Sequence, residues 1–245
     1  MTAPVAVSHS GDFGDTLYHL PCMRDRWGRV DLTLFPAACT GHRMTRQRCD
    51  VLGPLLRMQP YIASCEWNGR PKGFNFDRWR QHYRPWLNLT DMACEWLGVP
   101  HPDRETPWLV VDDVHRLAEV VFARSPRYHN PEFPWRRVWE TYRRAAIFVG
   151  LPEEHEQFCA AVGDVPFVPT RDYLELARII AGCALFVGNQ SSPRAVAEGL
   201  KVPVLVEVDK SVENTHWGRA TARYGYGPEI EGLTLAAESN EALPA

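Results

Sequence analysis

The chain has 245 residues, a formal net charge of -3 and 45% hydrophobic residues, enough for one large domain or two small ones. This balance excludes a bulk basic field for nucleic acid and leaves room only for a local basic patch. No apolar run reaches bilayer-spanning length and the first residues lack a signal-peptide pattern, so the sequence predicts a soluble, cytoplasmic protein without a transmembrane segment.

The apolar run at 4–7 predicts a first strand, with Val5, Ala6 and Val7 at its centre. It leads into "SHSGDFGDTLYHLP" at 8–21, where two glycines and two aspartates crowd one turn ahead of a helix predicted over 15–26. A strand–glycine–helix junction offers free backbone N–H groups at the positive end of a helix dipole, a natural anion site. The pattern is neither the dinucleotide fingerprint nor the lysine-bearing phosphate loop. A carboxylate placed there is stabilised when ionised and can accept a proton from a hydroxyl. Asp12 and Asp15 fit that role, and equally fit the role of helix caps.

Further strands are predicted over 31–35 and 61–64, with a helix over 44–56. The segment 66–86, "EWNGRPKGFNFDRWRQHYRPW", interleaves aromatics with cations. Such a surface can stack on a sugar, a flipped base or a single strand, or its tryptophans can complete a small core. The proline-rich "GVPHPDRETP" at 98–107 reads as a linker. A first domain over 1–103, a second over 104–235 and a frayed tail over 236–245 follow from it.

The second half is more regular. Strands are predicted over 118–123, 146–149, 165–168, 183–187 and 202–206, and helices over 135–145, 153–162, 171–181 and 191–200. Short apolar strands alternating with helices indicate a parallel sheet covered on both faces. Such sheets bind ligands beyond the carboxyl ends of their strands, which points to the loops 124–131, 150–153, 169–172 and 188–193. The seven cysteines, at 22, 39, 49, 65, 94, 159 and 183, show no CxxC pair, so they read as reduced, buried thiols. Adjacent Asp112 and Asp113 read as a solvated turn rather than a metal motif, and His9, His19 and His155 as surface or packing residues.

Several stretches together resemble the ADP-heptose:lipopolysaccharide heptosyltransferases (glycosyltransferase family 9). "SGDFGDTLYHLP" is similar to that family's G-x-G-D-x-x-x-x-L-P opening, and "LARIIAGCALFVGNQSSPRAVAEGLKVPVLVE" at 176–207 to its donor-loop region. "AAIFVGLPEEHEQF" at 145–158 and "LNLTDMACEWLGVP" at 87–100 match in the expected order between them. The family is longer, and its Asp-Ser-Gly-Pro-x-His core reads Gln190-Ser191-Ser192-Pro193-Arg194-Ala195 here.

The resemblance implies an α/β protein of two Rossmann-like lobes (GT-B-like), with parallel sheets and a cleft between them. It implies inverting, metal-independent transfer from a nucleoside-diphosphate sugar to a hydroxyl, with no resident cofactor. Asp15 becomes the base. Gly14, Ser125, Arg127, Tyr128, Gly188, Asn189, Gln190, Ser191, Ser192 and Arg194 fall on the donor side. Leu151 and Glu198 border the ribose or base, Glu198 also reading as an i,i+4 surface partner of Arg194. Asp12, Arg78 and Trp79 fall on the acceptor side, where the acceptor is a glycan, a lipid-linked saccharide or nucleic acid. Other readings of the residues are a non-catalytic nucleotide- or glycan-binding relative, a glycosyltransferase of modified DNA bases, or a sugar-nucleotide epimerase or hydrolase.

Overall fold

The structure is a computed structural model that describes residues 3–36, 44–84, 86–212 and 214–229. The expected tail at 236–245 and Cys39 lie outside the described residues.

Two parallel sheets organise the chain. The first runs in the order β3-β2-β1-β4, from β1 (Val5–His9), β2 (Val30–Leu34), β3 (Ile62–Trp67) and the two-residue β4 (Phe74–Asn75). The second runs β6-β5-β7-β8-β9, from β5 (Val120–Ala123), β6 (Ala146–Phe148), β7 (Leu185–Asn189), β8 (Val204–Glu207) and β9 (Ala222–Gly225). Every pairing among these strands is parallel. The run at 165–168, expected as a strand, contributes one bridge between Phe148 and Phe167.

Both sheets reverse their winding beside their first strand. β1 lies between β2 and β4, and β5 between β6 and β7. A crevice opens beyond the carboxyl ends of strands wherever winding reverses. The segments leaving β1 and β4, and those leaving β5 and β7, therefore sit where a ligand site forms.

The helices are α1 (Phe13–Trp27), α2 (Arg46–Met58), α3 (Leu89–Leu97), α4 (Trp135–Tyr142), α5 (Pro152–Ala161), α6 (Tyr173–Ala181) and α7 (Ser192–Leu200). A 3-10 helix, Phe76–His82, follows β4. Local chemistry sets several boundaries. Thr45, Asn88 and Asp172 cap α2, α3 and α6 by accepting from Arg48, Asp91 and Glu175 backbone N–H groups. Gly98 ends α3 in the left-handed region at φ 65°. Pro152 opens α5.

One hydrophobic core runs through both sheets, joining Val7, Leu17 and Leu32 to Phe186, Val196 and Val204. A smaller cluster around Phe122, Trp135 and Phe158 backs the second sheet. The connector crosses between them as a packed strut. Trp108 N–H and Leu109 N–H both donate to Gly199 O at 3.0 Å, and Trp108 Nε1 donates to Leu17 O at 3.0 Å. A Cβ on Gly199 would come within 2.5 Å of Leu109, so glycine permits this approach. The six described cysteines are free. No helix among the described residues is long and apolar enough to cross a membrane.

Candidate active site

A cavity of about 850 Å³ collects these segments. From the first half it takes Asp12 to Asp15, Tyr18, Arg48, Trp79, Arg80 and Tyr83. From the second it takes Arg124 to Tyr128, Gly150, Leu151, Glu154, the run 170–173 and Gln190 to Pro193. All four second-half loops expected from the sequence reach it.

The first wall is the turn between β1 and α1. Asp12 occupies the N-cap position, but its carboxylate makes no cap hydrogen bond. It pairs with Arg48 and lies 3.6 Å from Arg127 Nη2, so it ties the turn to both α2 and the loop after β5. Asp15, in the first turn of α1, has Oδ2 3.3 Å from Arg80 Nη2 and keeps about a quarter of its side chain exposed. Gly11 lies between His9 and Asp15. A Cβ there would meet His9 Cε1 at 2.5 Å and Asp15 Cβ at 2.7 Å, so the tight turn needs glycine.

Buried side chains brace this turn from behind. Ser10 donates from its backbone N–H to Asp77 Oδ1 at 3.0 Å, and its hydroxyl donates to Oδ2. Gly11 N–H donates to His9 Nδ1 at 3.0 Å. Neutral His9 therefore carries its proton on Nε2, which faces His19 Nδ1 at 2.8 Å. Burial lowers the pKa of both rings, Asp77 and Asp15 opposing the fall at His9. The two imidazoles expected at the surface or in packing are fully buried supports.

The opposite wall is the N-terminus of α7. Ser191 is its N-cap residue, and its Oγ is buried with no hydrogen-bond partner. Ser192 Oγ bonds the Tyr173 hydroxyl, whose ring meets the edge of Phe13 at 4.7 Å. The two helix starts abut: a Cβ on Gly14 would stand 4.0 Å from Ser192 Cα. Gln190 is used structurally, its amide donating to Val212 O and its Oε1 accepting from Asp209 N–H at 2.8 Å.

The loop after β5 is held from beneath. Asn189 Oδ1 accepts from Ser125 N–H at 3.1 Å, and its Nδ2 donates to Ser125 O at 2.9 Å and to Arg127 O. Fully buried Glu207 accepts from Arg124 Nε and Nη2, each at 2.7 Å. It also accepts from Asn130 N–H and Trp135 Nε1, each at 2.8 Å. Tyr128 adopts φ 58°, a left-handed conformation within that anchored loop. Leu151 stands 61% exposed on the rim, where Glu154 accepts from its backbone N–H at 2.9 Å.

The sequence-derived candidates divide accordingly. Asp12, Gly14, Asp15, Trp79, Ser125, Arg127, Tyr128, Leu151, Gln190, Ser191 and Ser192 line the cavity. Gly188 and Asn189 lie beneath it within β7. Arg78 is exposed and off the cavity. Arg194 and Glu198 require correction as direct ligand groups. Both are fully buried and 3.4 Å apart, so the expected i,i+4 pair forms, but in the interior rather than at the surface. Arg194 donates to the hydroxyls of Tyr18 and Tyr224, while Glu198 accepts from Arg219 Nε at 2.9 Å and Lys201 Nζ at 3.1 Å.

Sequence reasoning missed Arg48, Arg80 and Tyr173. A lone arginine or tyrosine carries no local signal of which turn it will meet. Asp112 lies outside the cavity, its carboxylate bound by Arg178. Among the described residues no cluster of three or more His, Cys, Asp or Glu is arranged to hold a metal ion.

No protein-family model matches the chain, and no curated protein matches its sequence. Solved structures do. A glycosyl transferase family 9 protein from Veillonella parvula aligns at 12% identity and TM-score 0.56, over 83% of this chain and 79% of its own. The E. coli heptosyltransferase WaaC with ADP aligns at 12% identity and TM-score 0.55, over 83% and 86%. The E. coli ADP-heptose lps heptosyltransferase II aligns at 13% identity and TM-score 0.50, over 92% of both chains. At such identities the likeness is one of fold, and the chain has the fold of the family 9 heptosyltransferases that its motifs resemble.

Proposed function

We propose that this protein is a glycosyltransferase that moves a sugar from a nucleoside-diphosphate sugar to a hydroxyl acceptor, inverting the anomeric centre without a metal ion. The observation that carries this reading is one juxtaposition. The Asp15 carboxylate and the N-terminus of α7 open on the same cavity, with Gly14 against Ser192. The two sheets then act as the two lobes of a GT-B enzyme and the cavity as the cleft between them.

The departing diphosphate rests on the first N–H groups of α7, the unpartnered Ser191 hydroxyl and the Arg127 guanidinium. Exposed Leu151 offers an apolar face to the nucleobase. Asp15, oriented by Arg80, takes the proton of the acceptor hydroxyl as its oxygen bonds the anomeric carbon and the bond to the diphosphate oxygen breaks. Trp79, Arg80 and Tyr83 receive the acceptor. Arg124 and Arg171 also line that wall and add positive charge to the helix dipole and backbone donors that stabilise the leaving group.

A second reading, nucleotide binding without transfer, is favoured by one observation: the loop entering α7 reads Gln190-Ser191-Ser192-Pro193-Arg194-Ala195, without the aspartate and histidine of the pattern it resembles. A thermal-shift panel of ADP, GDP, UDP and CDP with their sugars, run beside a transfer assay, separates the two. The transferase reading expects stabilisation by one nucleotide series in wild type and in Asp15→Asn alike, with turnover lost by about 10²–10⁴-fold in the variant. Stabilisation without transfer by wild type supports the second reading. No stabilisation by any member overturns both.

A further inference from the structure

We propose that Arg194, acting through Tyr18, is a positioning residue that sets the distance between Asp15 and the N-terminus of α7. The inference rests on the glycosyl-transfer reading. Arg194 sits two residues into α7 from Ser192, with no exposed side-chain surface. One end of its guanidinium donates to the Tyr18 hydroxyl. The other end donates to the Tyr224 hydroxyl at 3.0 Å and lies 3.4 Å from Glu198 Oε2.

Tyr18 follows Asp15 by three residues on α1, which puts both on one face of the helix. Both also line the cavity. The base and the phosphate-facing helix are thus joined by one chain of contacts, Asp15–α1–Tyr18–Arg194–α7. Burial pushes the Tyr18 phenol up, the adjacent Arg194 charge opposing it, so the hydroxyl stays protonated and accepts from the guanidinium.

Packing alone does not require this arrangement. A buried arginine carries a large desolvation cost, and an apolar side chain of similar volume would hold two helices together with less. What the guanidinium adds is direction: its planar donors fix Tyr18 and Tyr224 at set angles. Gly14 and Ser192 face each other, a Cβ on Gly14 standing 4.0 Å from Ser192 Cα, so a shift of α1 against α7 carries Asp15 with it. A misplacement of about 1 Å between reacting groups is enough to lose about 10²-fold in rate.

Tyr18→Phe and Tyr224→Phe form the test, since each removes one hydroxyl from the same guanidinium and leaves the core filled. The measurements are nucleoside-diphosphate affinity, kcat with saturating donor, melting temperature, and amide hydrogen exchange of residues 12–18. The proposal expects Tyr18→Phe to keep affinity within about threefold, lose at least about tenfold in kcat, and speed exchange in 12–18. Tyr224→Phe, whose hydroxyl also accepts from Trp217 N–H at 2.9 Å, should melt lower by at least as much but keep kcat within about threefold. Arg194→Lys, which cannot span both hydroxyls with one planar fork, should share the kcat loss of Tyr18→Phe.

Equal kcat losses in the two tyrosine variants, or lowered melting with kcat unchanged in both, overturn the proposal. If wild type transfers from no nucleotide sugar, the functional reading has failed instead. Exchange at 12–18 then still reports whether the Tyr18 hydroxyl orders the turn.

Discussion

Among single residues, Asp12 and Asp15 set the first wall of the cavity, Asp12 pairing with Arg48 and Asp15 lying 3.3 Å from Arg80. Gly11, Gly14 and Asp15 announce themselves by crowding one strand-to-helix turn, and they line or brace the cavity. Their partners were hidden, because Arg48 meets Asp12 across 36 residues and Arg80 meets Asp15 across 65. Arg194 misled for a related reason: its position beside the serines suggested a phosphate, while the helical turn carried its side chain inward to two tyrosines. Arg127 tests the donor wall. Arg127→Ala should weaken nucleoside-diphosphate binding by about tenfold, the value of one charge-assisted hydrogen bond, as read by titration calorimetry. Unchanged affinity would remove Arg127 from that wall.

The buried histidines give a pH prediction at the same scale. His9 and His19 are held neutral by burial, so their folded pKa values lie below the unfolded value near 6.5. Unfolding therefore takes up protons once the pH drops below about 6.5, and the stability is present above that pH and lost beneath it. The unfolding free energy should fall by up to about 2.7 kcal/mol per pH unit for two protons, until the native rings themselves protonate. Urea midpoints between pH 7.5 and 5 check this, and His19→Gln should reduce the slope. A midpoint flat across that range would contradict the burial argument.

At the scale of elements, periodicity and strand composition located most of the second sheet, because buried parallel strands are short apolar runs separated by helices. Three features were not legible. β4 is only two residues long, β9 carries exposed Arg223 at its second position, and 165–168 looks like a strand but makes a single bridge. The loop expected at 124–131 was found, yet what holds it was not visible: Glu207 lies more than 75 residues away at the end of β8. Glu207→Ala leaves the Arg124 guanidinium without its carboxylate in a largely buried setting. It should destabilise the fold by about 3–5 kcal/mol, measured by chemical denaturation. Nucleotide affinity should fall with it, since Ser125 and Arg127 ride on that loop; wild-type affinity in the folded variant would detach the loop from the donor site.

At the scale of the molecule, the linker-like composition at 98–107 falls between the two sheets, but the core does not divide there. Leu17 and Leu32 share one cluster with Val196 and Val204, and Trp108 stacks on Trp217 at 4.6 Å while bonding α1 through Leu17. Unfolding should therefore be a single cooperative transition seen alike by fluorescence and circular dichroism. Trp108→Ala should cost about 3–5 kcal/mol. Two resolved transitions would mean that the halves fold separately. The placement of the cavity follows from topology at this scale, because the winding of each sheet reverses beside the strand that feeds it.

In the proposed complex a diphosphate rests against the start of α7 while Asp15 faces the sugar it carries. Crystals soaked with the nucleoside-diphosphate sugar that gives the largest thermal shift test it most directly. Diphosphate density is expected between residues 125–128 and 190–193, with the anomeric carbon on the Asp15 side of the cavity. Diphosphate density elsewhere on the protein, or a sugar turned away from Asp15, would contradict it.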